Sequence, residues 1–183
     1  MEWKLTTLIE NHEDTEEKYV CEHGFSILIE KLDSKPPIRL LMDTGQSGAF
    51  FDNAEKMGVS LDKLDALLLS HAHYDHVGGL DDLRPFGRFA DIPIYSDAYT
   101  AAHLRARMPY CFVDKVYPGV PRIYLQEVEA GQVFHINRTE VLPLRVMHGR
   151  LPILGYRIGG RLGYITDMHM MPEESYEQLK GLD

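Results

Sequence analysis

The stretch "LLLSHAHYDHVGGLDDL" (67–83) puts three of the chain's nine histidines and an aspartate into six consecutive positions, directly after an apolar run. The short, wholly apolar segment "ALLLS" (66–70) has the pattern of a strand buried on both faces, so the histidines emerge at a strand's end. In extended backbone, alternate side chains share a face. His71 and His73 can therefore point together, as two imidazoles must to chelate one ion. Asp75 and His76, displaced by the turn that follows, suit a second, adjacent ion. Gly78 and Gly79 fit a backbone that turns tightly into a helix expected at about 78–84.

The remaining pattern frames that cluster. "KLTTLIE", "GFSILIEKL" and "IRLLMD" read as three early strands, separated by the charged loop "NHEDTEEK" and a turn at "DSKPP". Residues 47–57 have Ser47 as a cap, helical spacing of Phe50, Phe51, Ala54 and Met57, and Gly58 as a stop. A strand "IPIYS" and a helix from Asp97 to Met108 follow, then a Pro- and aromatic-rich connection to Arg122. Five further strands are expected in "RIYLQEV", "GQVFHI", "TEVLPLRVMH", "ILGYRI" and "RLGYITD", before a terminal helix near Pro172. Strands in two runs with interspersed helices predict an α/β protein with a layered, largely antiparallel sheet rather than a doubly wound one. At 183 residues and 44% hydrophobic side chains, one domain over 1–183 is the simplest organisation.

Charge and cysteine content narrow the function classes. A net charge of −9 argues against broad attraction to nucleic acid or anionic membranes. Cys21 and Cys111 are too few and too far apart for a disulfide framework or a cysteine zinc site. No run approaches a membrane span and "MEWKLTTLIE" lacks the apolar core of a signal peptide, so a cytoplasmic protein is expected. His12, His23, His103 and His135 have no chelating neighbour at a suitable spacing and read as surface residues. His169, two positions after Asp167, reads as solvent-facing.

"SHAHYDHVGG" resembles the signature of the metallo-β-lactamase superfamily, which implies an αββα sandwich with a mono- or dinuclear metal site at one edge. "LLMDTG" (40–45) is similar to that family's first motif, and the resemblance gives Asp43 the role of organising the metal loop without ligating. By the same resemblance His148, at the end of "VLPLRVMH", is the third histidine of the first metal, and Asp167 in "YITDM" is the carboxylate that bridges both metals. The implied cofactors are one or two divalent transition ions, zinc, manganese or iron. The implied chemistry is hydrolysis by a metal-activated hydroxide, with Asp75 orienting the nucleophile and passing a proton to the leaving group.

Two branches of the superfamily are resembled by different parts of the chain. Residues 6–80 look like the branch named for ribofuranosylaminobenzene phosphate synthase. Residues from about 78 onward look like the bacterial phosphodiesterase branch that includes the enzyme of the carbon–phosphorus lyase pathway, so the join falls inside the shared motif, as in a recombined chain. Both branches continue past the bridging aspartate to a last histidine, whereas this sequence ends at "YEQLKGLD". On that reading the sandwich is C-terminally shortened, the second metal is held more weakly, and an uncovered sheet edge favours a homo-oligomer. The segment "LRARMPYCFVDKVYPGVPR" carries Arg105, Arg107, Lys115 and Arg122 among aromatic residues, as a lid over a phosphorylated, ring-bearing substrate would. Arg150, two residues after His148, is the candidate for holding a phosphate. A phosphodiesterase acting on a small phosphorylated substrate is therefore expected. A pterin-related synthase, an RNA nuclease and a metal-binding scaffold without activity are the alternatives.

Overall fold

A computed structural model describes residues 2–83, 92–113, 119–120 and 123–182. Six strands form the first sheet, in the order β1 (Trp3–Ile9), β2 (Ser26–Lys31), β3 (Ile38–Met42), β4 (Ala66–Leu68), β5 (Ile92–Ser96) and β6 (Ile123–Glu127). Four form the second, in the order β10 (Leu162–Tyr164), β9 (Leu151–Ile158), β8 (Thr139–His148) and β7 (Phe134–Ile136). The hairpins β1–β2 and β2–β3 and the whole second sheet are antiparallel. The run β3–β4–β5–β6 is parallel, because each of these strands returns to the sheet through a crossover. The layered arrangement expected from the sequence thus holds, with a parallel run at whose centre lies the strand read from "ALLLS" as buried on both faces.

Side-chain alternation divides the core in two. Leu41, Leu67 and Leu69 face a cluster with Phe50 and Ala54 of α1 (Ala49–Lys56) and Leu104 of α3 (Ala98–Arg107). Ile38, Leu40, Met42, Ala66 and Leu68 face the other way, onto Val141, Leu154, Tyr156 and Ile158 of the second sheet. Leu144, Val146 and Ile153, also fully buried, lie on the second sheet's opposite face, where the terminal helix α4 (Glu173–Gln178) packs on β8. Leu179 and Leu182 approach Gly163 there, and Ile165 fills the space over Gly155. Residues 173–182 thus cover the apolar outer face, and β10 and β7 are that sheet's edges. The layers run helix, sheet, sheet, helix.

Two local expectations change. The predicted helix at 78–84 begins earlier, as α2 (Tyr74–Val77), and continues as a 3-10 helix over Gly78–Leu83. His73 is the last extended residue, and its carbonyl accepts from the N–H groups of His76 and Val77, so the helix starts inside the histidine cluster. α1 is preceded by Gly48 rather than capped by Ser47, although Ser47 Oγ accepts from the N–H of Ala49 at 3.2 Å while donating to Glu22. Gly78 and Gly79 have a different purpose from the one expected. A Cβ on Gly78 would lie 2.1 Å from the Gln46 carbonyl oxygen, and one on Gly79 2.5 Å from that of Ser47. The pair lets the backbone after β3 close against the histidine motif.

Candidate metal centre

Parallel pairing of β3 with β4 brings the residues after both strands to the same end of the sheet. Asp43, at φ +49°, turns back so that its N–H donates to the Leu68 carbonyl at 3.1 Å, and its side chain is wholly buried. An Asp tolerates this left-handed conformation better than most residues. Its Oδ1 accepts from the Ser70 N–H at 2.9 Å. Its Oδ2 accepts from Ser70 Oγ at 2.7 Å, from Tyr164 Oη at 2.8 Å and from His76 Nδ1 at 2.9 Å.

Those bonds fix two imidazoles. His76 donates its Nδ1–H to Asp43, so Nε2, hydrogen-bonded to Asp167 Oδ2 at 3.0 Å, is the atom that would ligate an ion once its proton leaves. The single proton of Ser70 Oγ goes to Asp43, so its 2.9 Å contact with His71 Nδ1 makes the imidazole the donor there. His71 Nε2 then carries a lone pair. It is buried, makes no hydrogen bond, and lies 3.5 Å from Asp167 Oδ2. One carboxylate therefore aims two imidazoles into the same space, His76 directly and His71 through Ser70.

Donor atoms of His71, His73 and His148 all lie within 4.8 Å of one another, and so do those of His71, His76 and Asp167. His71 belongs to both groups, but its single Nε2 lone pair can serve only one ion, whereas Asp167 Oδ2 lies within reach of both buried imidazoles, 3.5 Å from His71 Nε2 and 3.0 Å from His76 Nε2. Asp75 Oδ2 sits farther out, 3.7 Å from His76 Nε2. The orphaned His71 Nε2 and the imidazole–carboxylate donor sets fit a divalent transition ion.

Electrostatics separate the two buried imidazoles. Burial, reinforced by the neighbouring His76, pushes His71 down to about 4. Burial also works against charge on His76, but its hydrogen bond to Asp43, then the charges of Asp43, Asp167 and Asp75, raise it to about 9. For Asp167, partial burial opposes ionisation, and attraction to His76 with the Thr166 hydrogen bond holds the carboxyl below its ordinary range.

The centre lies in a cavity of about 770 Å³. Its described walls hold His73, His76, His148, Asp75 and Asp167, together with Glu10, His12 and His23 from the loop between β1 and β2. His12 and His23 were read as surface residues, and both are exposed, but the fold carries them to the rim. His23 Nε2 is 3.4 Å from Asp75 Oδ2. No sequence spacing could show this, because His23 lies in the β1–β2 connection and Asp75 in α2, 52 positions on.

Other candidates fall outside the cavity. Arg150 is exposed in the turn between β8 and β9 and does not line it. His169 is exposed, its N–H donating to the Met147 carbonyl, and His103 packs on Tyr99. Of the expected lid, Arg105 pairs with Glu127 at 2.8 Å and Arg107 stacks over Tyr74, while Lys115 and Arg122 lie outside the described residues.

Comparison with known proteins places this geometry. The octanoyltransferase of Porphyromonas gingivalis is 45% identical over 121 residues, covering 66% of this chain and 24% of that protein. The 7,8-dihydropterin-6-methyl-4-(beta-D-ribofuranosyl)-aminobenzene-5'-phosphate synthase of Methanocaldococcus jannaschii is 32% identical over 78 residues, covering 42% of this chain and 26% of the synthase. The chain thus matches only about a quarter of either curated relative. The crystal structure of a diphosphatase from the PhnP family superposes with a TM-score of 0.71 at 29% identity, covering 87% of this chain and 57% of that one. A single fold therefore spans both portions of the sequence that resemble different branches. The family model described as "Beta-lactamase superfamily domain" matches residues 38–183, from the start of β3 through Asp43, the histidine motif, His148 and Asp167. The chain belongs to the β-lactamase superfamily of metal-dependent hydrolase folds.

Proposed function

We propose that this chain is a metal-dependent phosphodiesterase acting on a small substrate with a single negative charge at the reacting phosphorus. The observation that carries the reading is the cluster of imidazoles and carboxylates, His71, His73, His76, His148 and Asp167, set in a cavity whose described lining holds three carboxylates, Glu10, Asp75 and Asp167, and no lysine or arginine. With no fixed cation in the described wall, a bound divalent ion would be the positive charge that meets the phosphoryl oxygens, and a monoanionic diester needs less of it than a dianionic monoester does. Likeness to a PhnP-family diphosphatase supports attack at phosphorus. The octanoyltransferase match takes in 24% of that protein, so it lends no support to acyl transfer here.

His71, His73 and His148 would hold one ion, and His76, Asp167 and Asp75 a second. When bound, such ions supply Lewis acidity to a phosphoryl oxygen and a nucleophile available at neutral pH. The chain's residues do the rest. Asp43 and Ser70 orient the imidazoles inward, and Asp75, whose Oδ2 lies 3.7 Å from His76 Nε2, would take the proton of the attacking water and give it to the leaving oxygen. Arg150 would meet only a part of the substrate that reaches past the cavity rim.

A panel of an aryl phosphodiester, the matching monoester and a short RNA, assayed with zinc- or manganese-loaded protein, tests this. Diester turnover well above monoester turnover, lost in Asp75→Asn, is expected. Monoester turnover as fast as that of the diester would contradict the electrostatic argument, and stoichiometric metal without turnover of any substrate would favour a scaffold.

A further inference from the structure

Four consecutive residues outside the histidine motif, Glu22 to Phe25, each touch a different part of the centre. Glu22 Oε1 accepts from the N–H groups of Gln46 at 2.7 Å and Ser47 at 3.1 Å, and its Oε2 accepts from Ser47 Oγ at 2.7 Å. This ties the segment to the loop that follows Asp43. Gly24, at φ +134°, lies so close to Asp75 that an added Cβ would stand 2.2 Å from the Asp75 carbonyl oxygen. The Phe25 carbonyl accepts from the N–H of Gly45 at 3.2 Å, and its ring lies 6.0 Å from that of Tyr164, whose hydroxyl donates to Asp43. Between these anchors His23 lines the cavity with Nε2 3.4 Å from Asp75 Oδ2, the same oxygen that lies 3.7 Å from His76 Nε2.

We propose that His23 is a positioning residue: anchored by Glu22, Gly24 and Phe25, it sets Nε2 against Asp75 Oδ2 and holds that carboxylate toward His76 and the metal-binding space. The role rests on the reading of Asp75 as part of the metal centre. Free rotation about its side-chain bonds would otherwise let Asp75, on the first turn of α2, swing toward solvent. Partners of this kind, one bond removed from the ion, commonly set ligand geometry and alter metal affinity or activity by about 10–100-fold when lost. The anchoring matters because His23 is itself 69% exposed and has no burial to hold it.

The test is a double-mutant cycle of His23→Ala and Asp75→Asn on the whole chain, read by zinc affinity in competition with a chromophoric chelator, by kcat and KM on an aryl phosphodiester, and by thermal midpoint. His23→Ala should weaken zinc binding roughly tenfold and lower kcat more than it raises KM. Its thermal midpoint in the metal-free state should stay at the parent's, since the side chain is exposed. In the Asp75→Asn background the same substitution should change affinity by less than about twofold. His23→Gln, which retains an N–H donor of similar reach, should recover most of the lost affinity. Parent-like zinc affinity in His23→Ala, or an undiminished loss in the Asp75→Asn background, would overturn the proposal. If the parent turns over no phosphodiester, the functional reading fails while the affinity cycle still decides the role of His23.

Discussion

Asp43 is the residue on which the centre depends without being one of its ligands. Its Oδ2 takes three donors, and an amide in its place could accept at only one atom while turning its own N–H₂ toward groups that also donate. Asp43→Asn should therefore keep the backbone turn, since Asn also tolerates positive φ, yet weaken zinc binding by about 10–100-fold in chelator competition. An unchanged affinity would show that the imidazoles need no such orientation. The two buried imidazoles also predict how the metal-free protein responds to pH. His76 is raised from 6.5 to about 9, so its contribution is fully present below 6.5 and is lost as pH rises through 9. His71 is lowered from 6.5 to about 4, so its contribution is present above 6.5 and is lost as pH falls through 4. Metal-free protein should accordingly unfold at its highest temperature near pH 6.5 as far as these groups decide it. Metal binding requires the His76 proton to leave, so saturating zinc should remove the alkaline decline, and calorimetry in buffers of different ionisation enthalpy should detect proton release at pH 7.5. A thermal midpoint that rises steadily from pH 6.5 to 9 without metal would contradict the His76 assignment.

At the scale of elements, the sequence was legible where one strand or helix carried its own signal. The apolar run 66–70, the histidine cluster, the alternation in β3 and the helix capped by Asp97 all appear where they were expected, because each depends on neighbours in sequence. What depended on pairing across the fold was not legible. Ser70 ended an apolar run, and its relay to His71 exists only because parallel pairing sets Asp43 beside it. His23 and His12 had no chelating spacing, yet the β1–β2 connection carries them to the cavity. The two glycines of the motif looked like turn residues and prove to be contact residues. Gly79→Ala would force a Cβ to 2.5 Å from the Ser47 carbonyl and 2.6 Å from that of Thr44, backbone atoms with little freedom to yield. A loss of about 1–3 kcal/mol, together with weaker zinc binding, is expected in denaturant titration with and without metal. Gly58→Ala has open space around it and strains only a φ of +68°, so about 1–2 kcal/mol should be lost with zinc affinity intact. Equal effects of the two substitutions on zinc affinity would deny that the Gly78–Gly79 contact shapes the centre.

Over the whole molecule, the parallel run β3–β4–β5 and the antiparallel hairpin β8–β9 meet at one edge of the sandwich, where the N–H of Leu154 donates to the Ser70 carbonyl at 2.9 Å and Tyr156 Oη donates to the Leu69 carbonyl at 2.7 Å. These bonds lock the strand that delivers His71 to the sheet that delivers His148, so the fold brings residues 77 positions apart in the chain into one donor group. No described helix is long and apolar enough to cross a membrane. His71 is the candidate ligand whose buried Nε2 has no hydrogen-bond partner among the described residues, so the centre depends on it most. Elemental analysis of zinc-loaded, dialysed protein tests this most directly, with the parent compared against His71→Ala, His73→Ala and His76→Ala at equal folded fraction by circular dichroism. The predicted result is near-complete loss of metal in His71→Ala and partial loss in each of the other two. Parent-level metal in His71→Ala would contradict the account.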